Sequence, residues 1–168
     1  MKARPQQPPG MPIPPQQQEQ PQFRQFFVPP HSTLAQVVTE TYFFLVTRGL
    51  VSELMQYYAP TRHKSLTVGS AHAVCQSVDD FVVQLQSLMG MVVHIKGVLQ
   101  QATTDRGMLV IITGTCVQPH GLPFCHSLIL IPTPQGGYQS QNDALCFLTT
   151  EGGVAAETAD TTTAVGGT

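Results

Sequence analysis

A chain of 168 residues has room for one domain and little more. Its 42% hydrophobic content is ordinary for a globular core, whereas the 11% charged content is about half the usual share. A net charge of −2 argues against a polyanion binder, which would carry a basic stripe, and no apolar run reaches membrane-spanning length.

In chain order, the first stretch, QQPPGMPIPPQQQEQPQ, is rich in Pro and Gln and cannot bury enough apolar surface to offset its ordering entropy. It also lacks the apolar core of a signal peptide. Residues 1–30 are therefore expected to be a disordered tail. Within them FRQFFVPP stands out: Phe23, Phe26, Phe27 and Val28 are too apolar for a free tail and are expected to pack on the domain edge or on a partner. At the other end, residues 150–168 are Gly, Ala and Thr with three acids, which also predicts disorder. The ordered domain is expected over residues 31–149.

Ser32 or Thr33 can cap a first helix, because a hydroxyl accepts from an orphan N–H of the first turn. Leu34, Val37, Val38, Tyr42, Leu45 and Val46 recur at helical spacing, and Gly49 suits the left-handed stop. A second, shorter helix carries Leu50, Val51, Leu54, Met55 and Tyr58 and ends before Pro60. Arg62, His63 and Lys64 form the one basic cluster and are expected in a solvated loop, followed by short strands around 66–68 and 73–76. Ser77 caps a third helix with Asp79 and Asp80 at its positive end, an apolar stripe of Phe81, Val82, Leu85, Leu88 and Met89, and Gly90 as its stop.

Four longer strands follow at about 91–101, 108–118, 122–132 and 137–148, joined by TTDRG, QPHG and TPQGG, which are hairpin turn chemistry. Gly97 and Gly114 sit mid-strand, where glycine marks a bulge or bend. The four cysteines, Cys75, Cys116, Cys125 and Cys146, form no C-x-x-C pair and fall in apolar runs, so they read as buried reduced thiols in an intracellular compartment.

The element order, two helices, a short hairpin, a third helix and a four-strand meander, resembles the nuclear transport factor 2-like family. So does YFFLVTRGLVSELMQYYAP, which looks like the family's opening Y-Y-x-x-L … L-x-x-F-Y pattern, and GGYQSQNDALCFL, which looks like its closing N-D motif with Asn142 and Asp143 in place. Leu145 and Cys146 depart from the Phe and Arg usual there. LIPTPQGGY makes the chain most similar to the Rasputin-type scaffold domain and the RNA-export adaptors. The resemblance implies an α+β cone, three helices in the hollow of a strongly bent, mostly antiparallel sheet. It also implies a cytoplasmic, nuclear or nuclear-envelope setting in RNA metabolism or nucleocytoplasmic transport.

The partners so implied are a second copy or a related chain, and peptide motifs of other proteins. The matching peptide-groove positions are Ala35, Thr39, Tyr42 and Tyr57, with Gln56 beside them. Ran binding is not expected, because the turn that supplies acids to that contact reads VQPHG here. Strand alternation puts His94, Lys96 and Gln100 away from the helices with Val98 between them, and groups Thr113, Thr115 and Val117 on one face of the next strand. Both faces of the third strand, with Ile129 on one and His126 on the other, are too apolar for open water. An outer dimer face of His94, Lys96, Val98, Thr113, Thr115 and Ile129 is expected.

The same fold hosts isomerases and dehydratases, so catalytic candidates need weighing. They are His94, His126, Asp143, Tyr42 and Tyr58. Each has a plainer reading: surface or interface histidines, a turn-bonding aspartate, and core tyrosines with one polar tip. No pair of acids shares an inward face, and His94 with His126 lacks further metal ligands at set spacing. The expectation is a non-catalytic interaction domain without cofactor or metal, binding no nucleic acid and no membrane. The alternatives are an export-adaptor subunit in a heterodimer and a small-molecule enzyme.

Overall fold

The computed structural model describes residues 23–119 and 121–149. The expected disorder at 1–22 and 150–168 lies outside the described residues.

Helix α1 (Leu34–Arg48) starts where the hydroxyl predicts: Thr33 Oγ1 accepts from the Gln36 N–H at 3.2 Å, and Gln36 Oε1 accepts the Thr33 N–H at 2.9 Å. Gly49, at φ 71°, ends it in the left-handed region. Helix α2 (Val51–Met55) is shorter than expected. Just past its end the Gln56 and Tyr57 N–H groups donate to the Glu53 and Leu54 carbonyls, and the chain extends at once into β1 (Tyr58–Val68), where Pro60 disfavours further helix. β1 thus absorbs the segment expected as a basic loop. Strand β2 (Ala71–Val74) turns back on it antiparallel. Helix α3 (Val78–Leu88) has the expected Ser77 cap, reciprocated by Asp80, and buries Phe81, Leu85 and Leu88.

Strands β3 (Val92–Ala102), β4 (Met108–Gln118), β5 (Pro123–Pro132) and β6 (Tyr138–Phe147) form the expected meander. The sheet order is β2-β1-β6-β5-β4-β3, with β1 running parallel to β6 and every other pairing antiparallel. Among the described residues no helix is long and apolar enough to cross a membrane.

The two mid-strand glycines mark the bend. A Cβ on Gly114 would stand 2.4 Å from the His94 carbonyl oxygen and 2.9 Å from the Phe124 ring. The β3 register slips between Ile95 and Gly97, and this bulge reverses the alternation beyond it. Val98 therefore pairs with buried Ile112, and Gln100 pairs with buried Val110 and accepts the Ala35 N–H at 3.0 Å. Both face the helices, contrary to the alternation-based expectation, and Leu99 takes the outward place opposite Ile111.

The core lies between the inner sheet face and the helices, with Val38, Tyr42, Val46, Leu54, Phe81, Leu85, Ile112, Leu128 and Leu145 all at 2% exposure or less. Only Cys116 of the four cysteines is buried; the other three are half-buried free thiols, contrary to expectation. Of the apolar residues expected to pack on the domain edge, Phe26 does so, which carries the ordered packing back before residue 31, while Phe23, Phe27 and Val28 stay exposed. Phe26 is 3% exposed, and its backbone pairs with Tyr138 in both directions, at 2.8 and 3.1 Å.

Candidate functional site

The hollow of the cone gathers polar side chains from five places in the chain. Tyr42 comes from the middle of α1, Tyr58 and Lys64 from β1, His126 from β5 and Asp143 from β6. Parallel pairing sets Lys64 beside Asp143, and antiparallel pairing sets Leu128 opposite Asp143 with His126 two residues away on the same inner face. The Asp143 carboxylate is the hub. Its Oδ2 accepts from Lys64 Nζ at 2.8 Å, from the Tyr42 hydroxyl at 3.3 Å and from the Tyr58 hydroxyl, while Oδ1 meets His126 Nε2 at 2.8 Å. Lys64 Nζ also donates to the Tyr42 oxygen at 3.5 Å. None of the five side chains is more than 2% exposed.

Burial alone would push the Asp143 carboxyl up, but the Lys64 ammonium and the His126 ring outweigh it and hold the group well below the usual carboxylate range. Burial, and then the Asp143 charge, push both tyrosines well above theirs. The result is an ionised carboxylate saturated with donors, between hydroxyls committed to it. A general base works best with a pKa near the working pH and within reach of a substrate proton, whereas Asp143 is held well below the usual carboxylate range and is 2% exposed. What the cluster does is lock α1, β1, β5 and β6 to each other, since polar groups this deep are tolerated only when satisfied. One group is left over: His126 Nδ1 is buried without a hydrogen-bond partner among the described residues.

Lys64, which the sequence places with Arg62 and His63 in a solvated basic loop, is instead 1% exposed at the centre of the cluster. The signal lay in the alternation of HKSL, which puts Lys64 and Leu66 on one face, but a lysine on an apolar face has no sequence-level explanation without its distant acid. Of the weighed catalytic residues, His94 stays apart. It is exposed and pairs with Thr115 on the outer side of β3, so the sheet lies between it and His126.

The five candidate groove residues do not form one open slot. Ala35 and Thr39 are buried at 4% and 6% exposure, with the Thr39 hydroxyl donating to the Ala35 carbonyl at 2.7 Å, and Tyr42 points into the polar cluster. Gln56 and Tyr57 sit elsewhere, half-buried under the N-terminal segment: the Phe26 and Tyr57 rings are 4.6 Å apart, and the Gln56 carbonyl accepts the Arg24 N–H at 2.8 Å. An apolar cavity of about 480 Å³ opens at the far end of the cone between Leu66, Leu88, Met89, Met91 and Phe147.

Of the expected dimer face, His94, Thr113, Thr115 and Ile129 lie on the outer sheet surface, Lys96 lies at the bulge, and Val98 lies on the other side. The outer face reads in rows across β3 to β6: Leu99, Ile111, Ser127, Ala144; Gln101, Leu109, Ile129, Asn142; Gly97, Thr113, Cys125, Cys146. No residue in these rows is charged.

No protein-family model matches the sequence, and no curated protein matches it. Solved structures do. Yeast Bre5, the Ubp3-associated protein, is 17% identical, covers 68% of this chain and 93% of its own, and has a TM-score of 0.54. Bre5 has also been solved in complex with the yeast deubiquitinase Ubp3, as its cofactor, at the same identity and TM-score, covering 68% of this chain and 94% of its own. Nuclear transport factor 2 from Cryptosporidium parvum is 24% identical, covers 67% of this chain and 89% of its own, and has a TM-score of 0.50. The fold is the nuclear transport factor 2-like fold, as the element order implied.

Proposed function

We propose that this nuclear transport factor 2-like domain is a non-catalytic protein-interaction module. It pairs through its outer sheet face with a second copy or a related chain, in RNA metabolism or nucleocytoplasmic transport in the cytoplasm or nucleus. The observation that carries the reading is the contrast between the two sheet faces. The inner face holds a buried ion cluster whose Asp143 carboxylate is fully engaged by Lys64, His126 and two tyrosines, and the cavity that opens in the cone is lined by apolar residues instead. The outer face has uncharged, largely apolar rows with none of the described residues packed over them, and a solvated face of an antiparallel sheet normally carries polar and charged residues. Bre5 supports the reading as a protein of this fold that acts as cofactor of another protein.

Light scattering on the purified chain tests it. The expected mass is twice that of one chain, and Ile111→Lys with Ile129→Lys should halve it without unfolding the protein. A monomer at high micromolar concentration with no copurifying subunit would overturn the reading. A 1:1 complex with a different, larger chain would replace self-pairing by the export-adaptor arrangement.

The unpartnered His126 Nδ1 beside Asp143 favours one second reading, a small-molecule isomerase or dehydratase whose hollow opens on binding. That reading requires a ligand soaked into crystals to give density against Asp143.

A further inference from the structure

Strands β5 and β6 place two of the four free cysteines directly opposite each other. Their register is unbroken from the pairing of Phe124 with Phe147 to that of Leu128 with Asp143, and it sets Cys125 against Cys146. Phe124, His126, Leu145 and Phe147, on either side of them in the chain, are buried in the core, so both thiols point to the outer sheet face. Opposed residues of antiparallel strands have Cα atoms about 4.5–5.5 Å apart, inside the roughly 4.4–6.8 Å that a disulfide spans. Their Cβ atoms need to close by about 1 Å. Among the described residues no other two cysteines are placed this way: buried Cys116 opposes Val93, and Cys75 lies past the end of β2.

Both side chains are half-buried, which leaves their sulfurs within reach of a small molecule. Cys125 lies near the start of β5 and Cys146 near the end of β6. The pair is therefore toward the rim of the outer face, about 7 and 13 Å along the strands from the rows that carry Ile111 and Ile129. Its neighbours in the row are Thr113 on β4 and Thr67 on β1, and the Thr67 hydroxyl is engaged with His72 Nδ1 at 2.7 Å. Both threonines flank the pair, so neither stands between the two sulfurs.

We propose that Cys125 and Cys146 form a dithiol modification site that exchanges with low-molecular-weight disulfides, such as oxidised glutathione, and closes into a cross-strand disulfide. In the first step one cysteine thiolate attacks a sulfur of the small disulfide. A new S–S bond joins that cysteine to one half of the reagent, and the other half leaves as a thiolate. In the second step the opposed cysteine attacks the protein sulfur of this mixed disulfide, which forms the bond between Cys125 and Cys146 and releases the second half as a thiolate. The two cysteines lose two electrons and two protons, and the small disulfide takes up both as two thiols. Because the register holds the opposed thiol alongside, the second step is intramolecular and outruns attack by a free thiol. A single cysteine here would keep a bulky adduct on the outer face, whereas the pair discharges it and leaves two sulfurs bonded flush with the strands. The inference stands on the β5–β6 register and does not depend on the sheet-face pairing.

The full-length chain, reduced, freed of reductant and incubated folded with oxidised glutathione, should lose two of its four titratable thiols. Its intact mass should carry no glutathione, and peptide mapping should show the Cys125 and Cys146 peptides linked to each other and separated again by reductant. Cys125→Ser and Cys146→Ser should each instead keep one glutathione on the remaining cysteine, whereas Cys75→Ser should still close the bond. Phenylarsine oxide on the unaltered chain gives a second readout that needs no variant. Its trivalent arsenic bridges two neighbouring thiols with loss of water, so one equivalent should protect Cys125 and Cys146 together from alkylation. Four free thiols after the incubation, a lasting glutathione adduct with no internal link, a link joining any other two cysteines, or undiminished alkylation of both residues in the presence of the arsenical would each overturn the inference.

Discussion

Replacing Lys64 by Met keeps most of the side chain's length and apolar volume and removes only the ammonium. The Asp143 carboxylate then remains ionised and 2% exposed without its cation, which sits 2.8 Å away in the native chain. Removing one partner of a buried pair costs about 3–5 kcal/mol. Here His126 and the two tyrosine hydroxyls still contact the carboxylate, which argues for the lower end, about 3 kcal/mol. For a domain of this size that is a fall in Tm of roughly 10–15 °C.

The pH dependence sharpens the test. The folded Asp143 carboxyl lies below its unfolded value of about 3.9, so its contribution is complete above that pH and is lost as pH falls toward the folded value. In the variant the burial effect is no longer opposed by Lys64, the folded carboxyl moves up, and the contribution is smaller from the start. The stability gap between the two proteins should therefore be widest near neutrality and narrow below about pH 4. Urea unfolding followed by circular dichroism at pH 7 and again in acid measures both. A loss under about 1 kcal/mol at pH 7, or a gap that widens on acidification, would refute the view that this ion pair holds the hollow together.

Two further outcomes follow from the same geometry. Both cluster tyrosines are held neutral, so their stabilisation is present below about pH 10 and lost as pH rises through their raised folded values; Tyr58→Phe should flatten the alkaline limb of an unfolding-against-pH curve while costing roughly 1.5–3 kcal/mol at neutral pH for the lost bond to a charged acceptor. Gly114→Ala should cost about 1–3 kcal/mol in the same denaturation assay, because its Cβ meets the His94 carbonyl at 2.4 Å in the strongly bent part of β3–β4.

The features legible in the sequence are those decided within a few residues. The Thr33 and Ser77 caps, the Gly49 stop and the β4 and β5 alternation each depend on a local backbone requirement or on the period of one element, and each appears where its residues predict. Element order, which is a series of such local facts, was enough to point to the cone. What the tertiary structure alone decided involves partners far away in the chain. β1 is long because β6, in another part of the sequence, offers it a parallel edge, and no pattern within TRHKS announces that. Lys64 is inside because the cost of stripping water from an ammonium is offset only where Asp143 and Tyr42 converge on it. Phe26 belongs to the domain because Tyr57 and Tyr138, brought together by the sheet, give an isolated aromatic somewhere to pack. Val98 and Gln100 face inward because one extra residue in β3 shifts every side chain after it, and only the pairing with β4 shows where that residue sits.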